Sequence, residues 1–195
     1  MRSALKTLPN YRILIMKVNS ISTAIKVGNF VLNTGTSKAR LKVEWDQSVS
    51  KNTLTDNAGR VYILSVDGVV KKIGGSVSKG GIKSTMSFYS SANTGRPSIR
   101  SFGINQLIWE CLVEGKEVEI HMITSQSVQA PVKGLFGVKP MSISAFKEME
   151  EKCISDYRNT ENEFPVWNYQ EAGKAWEQYI QEEHALILTK TAKKN

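Results

Sequence analysis

A tyrosine and a lysine stand at matched places in two short apolar runs. Val61-Tyr62-Ile63-Leu64-Ser65 leads to Asp67-Gly68, and Lys71-Lys72-Ile73-Gly74-Gly75-Ser76 follows. The surrounding charge is one-sided. Between Gly59 and Ser101 the bases are Arg60, Lys71, Lys72, Lys79, Lys83, Arg96 and Arg100, and the only acid is Asp67. The first 56 residues are also basic, with Arg40 and Lys42 on a pattern that alternates with apolar residues, while the last third is acidic up to a lysine-rich tail. The chain carries a net charge of +8. Such asymmetry suits contact with a polyanion across the first two thirds, because neutralised phosphates supply most non-specific nucleic-acid affinity. An ordinary solvated basic surface is the plain alternative.

The elements that must position these residues follow from pattern. Asp-Gly between two β-forming runs predicts a hairpin, Val61–Val66 with Val69–Ile73, since glycine takes positive φ without steric cost. Tyr11–Val18 and Arg40–Trp45 read as strands, and Ser22–Leu32 is ambiguous. Ser48–Gly59 is polar and turn-rich and forms a boundary. Ser90–Pro97 reads as a loop, and Ser98 or Ser101 caps a helix that runs through Val113 and stops at Gly115. Glu117–Ile123 alternates as a strand. Val132–Lys139 reads as a glycine-containing loop, Ser144 as the cap of a helix over 145–157, and Gln170 to about Leu188 as an amphipathic helix. This order predicts an α+β fold: a small mixed or antiparallel sheet, a central β-hairpin flanked by helices, and an N-terminal β-extension. Three units are expected: a basic extension over residues 1–57 that contacts DNA, a core over 58–169, and a C-terminal helix with a basic tail over 170–195.

A chain of 195 residues is long enough for one sizeable core. No apolar run is long enough for a membrane span, and Met1 to Lys6 lacks a secretory pattern, so a cytoplasmic protein without a membrane partner is expected. Cys111 and Cys153 read as free thiols in a reducing compartment, and no Cys/His spacing suits zinc.

The hairpin and two downstream blocks resemble the GIY-YIG nuclease superfamily. Arg60-Val61-Tyr62 is similar to its first triplet, and Lys72-Ile73-Gly74 to its second, with lysine replacing a tyrosine as in a variant branch of restriction and phage-encoded enzymes. Met149-Glu150-Glu151-Lys152-Cys153-Ile154 is similar to the glutamate block, and Pro165-Val166-Trp167-Asn168 to the closing Pro-x-Tyr/Trp-Asn. The resemblance covers about residues 59–169.

It implies a role for each matched residue. Tyr62 would help activate water, Lys72 would contact the water or the scissile phosphate, and Arg100 would clamp the phosphate, with Arg96 as its competitor. Glu150 would hold the divalent metal, Mg²⁺ or Mn²⁺, with Glu148 and Glu151 as neighbours in the same run. Asn168 would stand beside the site. An ordinary tyrosine has a pKa of about 10, so Tyr62 as base needs a nearby cation such as Lys72; Lys72 is the base if desolvation lowers its own pKa. Lys71, Lys79, Lys83, Arg96, Arg40 and Lys42 are the expected DNA contacts.

These parts together imply a metal-dependent DNA endonuclease of restriction or phage type. Cutting both strands implies a homodimer or sequential nicking. A nucleic-acid-binding protein without catalysis is the second reading, and an enzyme acting on another anionic substrate the third.

Overall fold

The computed structural model describes residues 15–35, 37–125 and 127–192. Five strands form one antiparallel sheet: β1 (Ile25–Leu32), β2 (Leu41–Trp45), β3 (Arg60–Val66), β4 (Val69–Ser76) and β5 (Val118–Thr124), in the order β2-β1-β5-β3-β4. The helices are α1 (Lys51–Thr55), α2 (Gly81–Ser90), α3 (Ile99–Val113), α4 (Phe146–Glu161) and α5 (Gln178–Ala192). A separate two-stranded ribbon pairs β6 (Ser127–Gly134) with β7 (Gly137–Ser144). The fold class is α+β, as expected.

The hairpin forms where the sequence places it. Asp67 and Gly68 both have positive φ, 49° and 73°, the backbone twist that suits a two-residue turn between right-twisted strands. All seven residues of β3 are buried, because both faces of the sheet are covered. Tyr62, Leu64 and Val66 join Phe30, Met122, Ile82, Met86 and Ile104 in a core under α2 and α3. Val61, Ile63, Val70 and Ile73 face the other way, with Val18 and Tyr157, and Met149, Cys153 and Ile154 of α4 pack against them. Burial on both faces explains why β3 reads as a continuous apolar run.

The structure departs from the sequence pattern in several places. The hairpin lies at one side of the sheet, with β4 as its edge strand. β1 and β2, expected as part of an extension, continue the same sheet through β5. The first half of the expected strand Tyr11–Val18 lies outside the described residues; in its second half, Lys17 forms a single bridge to Val69, and Val18 starts a 3-10 turn. The boundary region contains α1, whose cap Ser50 accepts from the Thr53 amide. α2 was not expected, although Ile82, Met86 and Tyr89 recur at helical spacing and all three are buried. The expected loop at Val132–Lys139 is the end of the β6–β7 ribbon. Ser144 does not cap α4: it pairs with Ser127 in the ribbon, and Ala145 occupies the cap position. α5 starts at Gln178, because the chain first closes a tight turn at Gly173 with φ of 63°.

Both cysteines are free and half-buried. Among the described residues, no helix is long and apolar enough to cross a membrane.

Candidate active site

Gly74 and Gly75 are the floor of the site. A Cβ on Gly74 would sit 2.4 Å from the Tyr62 hydroxyl, and one on Gly75 would sit 2.5 Å from Glu150 Oε2. Tyr62 and Glu150 thus press against adjacent residues of edge strand β4, and adjacent strand residues face opposite sides. A side chain at either glycine would displace a group of the site.

Tyr62 is 3% exposed, and its hydroxyl lies 2.6 Å from that of Tyr89 on α2. The rings meet edge to face. Burial, then the neighbouring Tyr89 phenol, pushes the Tyr62 pKa well above its ordinary value. Burial also raises that of Tyr89. Lys72 is 1% exposed and has no hydrogen bond or ion pair among the described residues. Desolvation, assisted by the positive charge of Arg100, pushes its pKa down to about 8, against the pull of Glu171 and Glu150. The two hairpin residues therefore shift in opposite directions, since burial disfavours the charged form of each.

Arg100 comes from the first turn of α3, which Ser98 caps by accepting from the Ser101 amide. Its guanidinium donates to Gln170 Oε1 at 3.1 Å and to Glu171 Oε1 at 3.1 Å. Burial works against its charge, but Tyr62, Tyr89, Glu171 and Glu150 outweigh that and hold its pKa above the ordinary value. Arg96 is exposed in the preceding loop. Of the two arginines weighed for the phosphate clamp, Arg100 is the one that feels the tyrosines and Glu150.

Glu150 is half-buried on α4, whereas Glu148 and Glu151 are exposed. Its carboxylate has no hydrogen bond among the described residues, which also hold no group of three or more His, Cys, Asp or Glu side chains placed to hold a metal ion. A lone carboxylate fits Mg²⁺, which keeps several waters and completes its shell with substrate phosphate oxygens. Asn168 is fully buried. Its Oδ1 accepts from the Ile73 amide at 3.0 Å and its Nδ2 donates to the Ile73 carbonyl at 2.8 Å. Both ends of the amide are thus committed to the backbone beside Lys72. Trp167 adds a bond from its own amide to the Lys71 carbonyl, so the 167–168 segment caps the open edge of β4.

The expected DNA contacts divide. Lys79 and Arg96 are exposed, and Lys71 is half-exposed. Lys42 is exposed and paired with Glu44. Lys83 rests its ammonium 5.7 Å from the Trp45 ring centroid. Arg40 turns inward, contrary to expectation: its guanidinium donates to Asn105 and Gln106 at 2.8 and 2.6 Å and stacks over Trp109. Arg60 is 3% exposed and bonds the Asp56 and Ala58 carbonyls. Both tie elements together.

Two members of the cluster have no counterpart in the sequence reading. Tyr89 lies on the unanticipated helix α2, where the spacing of Ile82, Met86 and Tyr89 was its signal. Glu171 lies in the turn after Asn168 and carries no local signal; its Oε2 is buried without a hydrogen-bond partner among the described residues.

No known family pattern and no curated protein matches the sequence. The fold is similar to that of a mutant of bacteriophage T4 EndoII, with a TM-score of 0.50 at 18% identity, over 78% of this chain and 98% of that one. A restriction endonuclease, HPY188I, solved in complex with product DNA, gives a TM-score of 0.48 at 15% identity, over 78% of this chain and 86% of that one.

Proposed function

We propose that this chain is a metal-dependent DNA endonuclease of the variant GIY-YIG kind, with Lys72 in place of the second triplet's tyrosine. One observation carries the reading: Tyr62 and Glu150 press on the adjacent glycines Gly74 and Gly75 of edge strand β4, the strand that also carries the buried Lys72, and the charge of Arg100 acts on both Tyr62 and Lys72. The fold shared with EndoII supports it. DNA is the partner, and a restriction or phage-encoded role follows from the likeness of Lys72-Ile73-Gly74 to the variant second triplet. Cutting both strands takes two copies of the site, as in a homodimer, or two successive nicks.

Hydrolysis of a phosphodiester needs an activated water, neutralised charge on the phosphorane and a stabilised leaving oxygen. With a pKa of about 8, Lys72 is neutral in part near physiological pH and accepts the proton of the attacking water. Tyr62 cannot serve as readily, because burial opposes its phenolate; its hydroxyl, fixed by Tyr89, orients the water instead. Arg100 places two N–H groups toward non-bridging oxygens once Gln170 and Glu171 release it. Glu150 would hold a divalent cation, which would supply Lewis-acid stabilisation of the phosphate and the leaving oxygen. Asn168 holds the strand that carries Lys72.

The test is nicking of supercoiled plasmid with Mg²⁺ or Mn²⁺, by the native chain and by Glu150→Gln and Lys72→Met. Metal-dependent nicking lost in both variants supports the proposal. A second reading, DNA binding without cleavage, is favoured by the occupied fork of Arg100. A salt-dependent mobility shift without nicking would establish it.

A further inference from the structure

The β6–β7 ribbon contributes no residue to the site. It leads through Ala145 into α4, whose Phe146 and Glu150, one turn apart, both approach Gly75. The arm therefore starts one turn from the Glu150 carboxylate. Eight residues per strand give it a reach of about 25 Å.

Its surface is unusual for a free arm. At the tip, between Gly134 and Gly137, Leu135 is 95% exposed and Phe136 is 100% exposed. Val128 and Ile143 pair across the strands and so share a face, and they too are exposed. A solvated leucine–phenylalanine tip gains nothing for the fold, and exposed apolar groups of this size mark contact sites. The charge is one-sided: residues 127–144 contain Lys133 and Lys139 and no acid. These lysines stand within three residues of the tip on either strand.

The ribbon is also blunted against strand addition. Pro131 lies directly opposite Pro140. Two facing prolines cannot exchange ladder bonds, so the N–H groups they lack are outward ones, and both edges are interrupted midway. A partner must then meet the tip and the side-chain faces. Two copies of this ribbon would bring lysine against lysine, whereas a polyanion complements it. A two-stranded ribbon fits a groove of duplex DNA, and from the minor-groove side apolar wedges enter between base steps and kink the duplex.

We propose that β6–β7 is a DNA-gripping arm, with Leu135 and Phe136 as a wedge against a base step and Lys133 and Lys139 on the flanking phosphates. The assignment rests on DNA being the substrate of the site described above.

The experiment uses the full chain and two double variants, Leu135→Ser with Phe136→Ser and Lys133→Gln with Lys139→Gln, each checked for native circular dichroism. Duplex binding is followed by anisotropy across a salt series, base unstacking by 2-aminopurine fluorescence, and cleavage by plasmid nicking. The wedge variant is expected to lose about tenfold in affinity together with the 2-aminopurine signal. The lysine variant is expected to flatten the salt dependence by about two in slope. Native-level binding and fluorescence in both variants overturn the arm while nicking by the native chain leaves the nuclease reading intact. Tip-dependent binding by a chain that never nicks upholds the arm and removes the nuclease reading. A wedge variant that instead falls from dimer to monomer by light scattering, with DNA affinity unchanged, assigns the tip to a second copy and overturns the proposal. Absence of any DNA binding by the native chain overturns both.

Discussion

Tyr62 and Glu150 bear on neighbouring residues of one edge strand: the tyrosine hydroxyl lies over Gly74 and the carboxylate over Gly75. The Gly-Gly step lets a buried phenol and a half-buried acid come within one residue's length of the same backbone. The two glycines are needed for different reasons, so their substitutions separate. Gly74→Ala drives a methyl against a ring that is buried and held by Tyr89, and overpacking of this kind costs about 1–3 kcal/mol. Gly75→Ala meets the far end of the half-buried Glu150 side chain and the edge of the Phe146 ring, so it costs less stability and displaces the carboxylate. Thermal unfolding and Mg²⁺-dependent nicking of the two variants check this; equal loss of stability in both would contradict it.

Lys72 is a cost to the fold. Its pKa falls from 10.5 to about 8 on folding. A lysine whose pKa is depressed binds fewer protons when folded, so the penalty is complete below pH 8 and fades as pH rises toward 10.5. The drop corresponds to roughly 3 kcal/mol. Lys72→Met is therefore expected to raise stability at pH 7 by a sizeable part of that amount while abolishing cleavage. Denaturant melts at pH 7 and pH 10 give the check: the advantage over the native chain must shrink at the higher pH.

With Lys72 as the proposed base, the same titration would set the pH dependence of cleavage. Neutral Lys72 becomes the major form above pH 8, so single-turnover nicking is expected to rise with unit slope below pH 8 and level off above it. A rate that is flat from pH 6 to 9 would remove Lys72 as the base.

Arg100 and Glu171 meet at 3.1 Å, with 40% and 23% of their side chains exposed. A partly exposed pair contributes under about 1 kcal/mol, weak enough for a phosphate to displace it. Glu171→Gln is expected to tighten DNA binding by up to about fivefold and to move the break in the pH–rate profile below 8, because Glu171 helps keep Lys72 protonated. If affinity falls and the break stays in place, Glu171 positions Arg100 instead of competing for it.

Asn168 gives a contrasting case. Both ends of its amide are taken by Ile73 in a fully buried setting. Asn168→Ala leaves two backbone groups of β4 without partners, at about 1–3 kcal/mol each. Loss of stability should accompany any loss of cleavage, and faster hydrogen exchange at Ile73 would locate the damage.

Much of this protein is legible in its residues alone. The turn at Asp67-Gly68, the doubly buried strand β3, the cap at Ser98 and the stop at Gly115 follow from local rules: glycine φ, apolar runs and side-chain capping act over a few residues. Tyr62 and Lys72 belong to the same hairpin and are legible with it, but the register sets them two residues apart, Tyr62 opposite Gly74 and Lys72 opposite Leu64. Contacts between distant segments are not. Nothing around Arg40 reveals that Asn105 and Gln106, some 65 residues on, will draw its guanidinium inward, and nothing around Glu171 reveals Arg100. Asn168 pairs with Ile73 across 95 residues of chain. Such partners are set by how the sheet, α3 and the segment after Asn168 pack, and burial then settles what the residue types leave open. It moves a tyrosine and a lysine in opposite directions on the pH scale, and so makes Lys72 the group suited to take a proton.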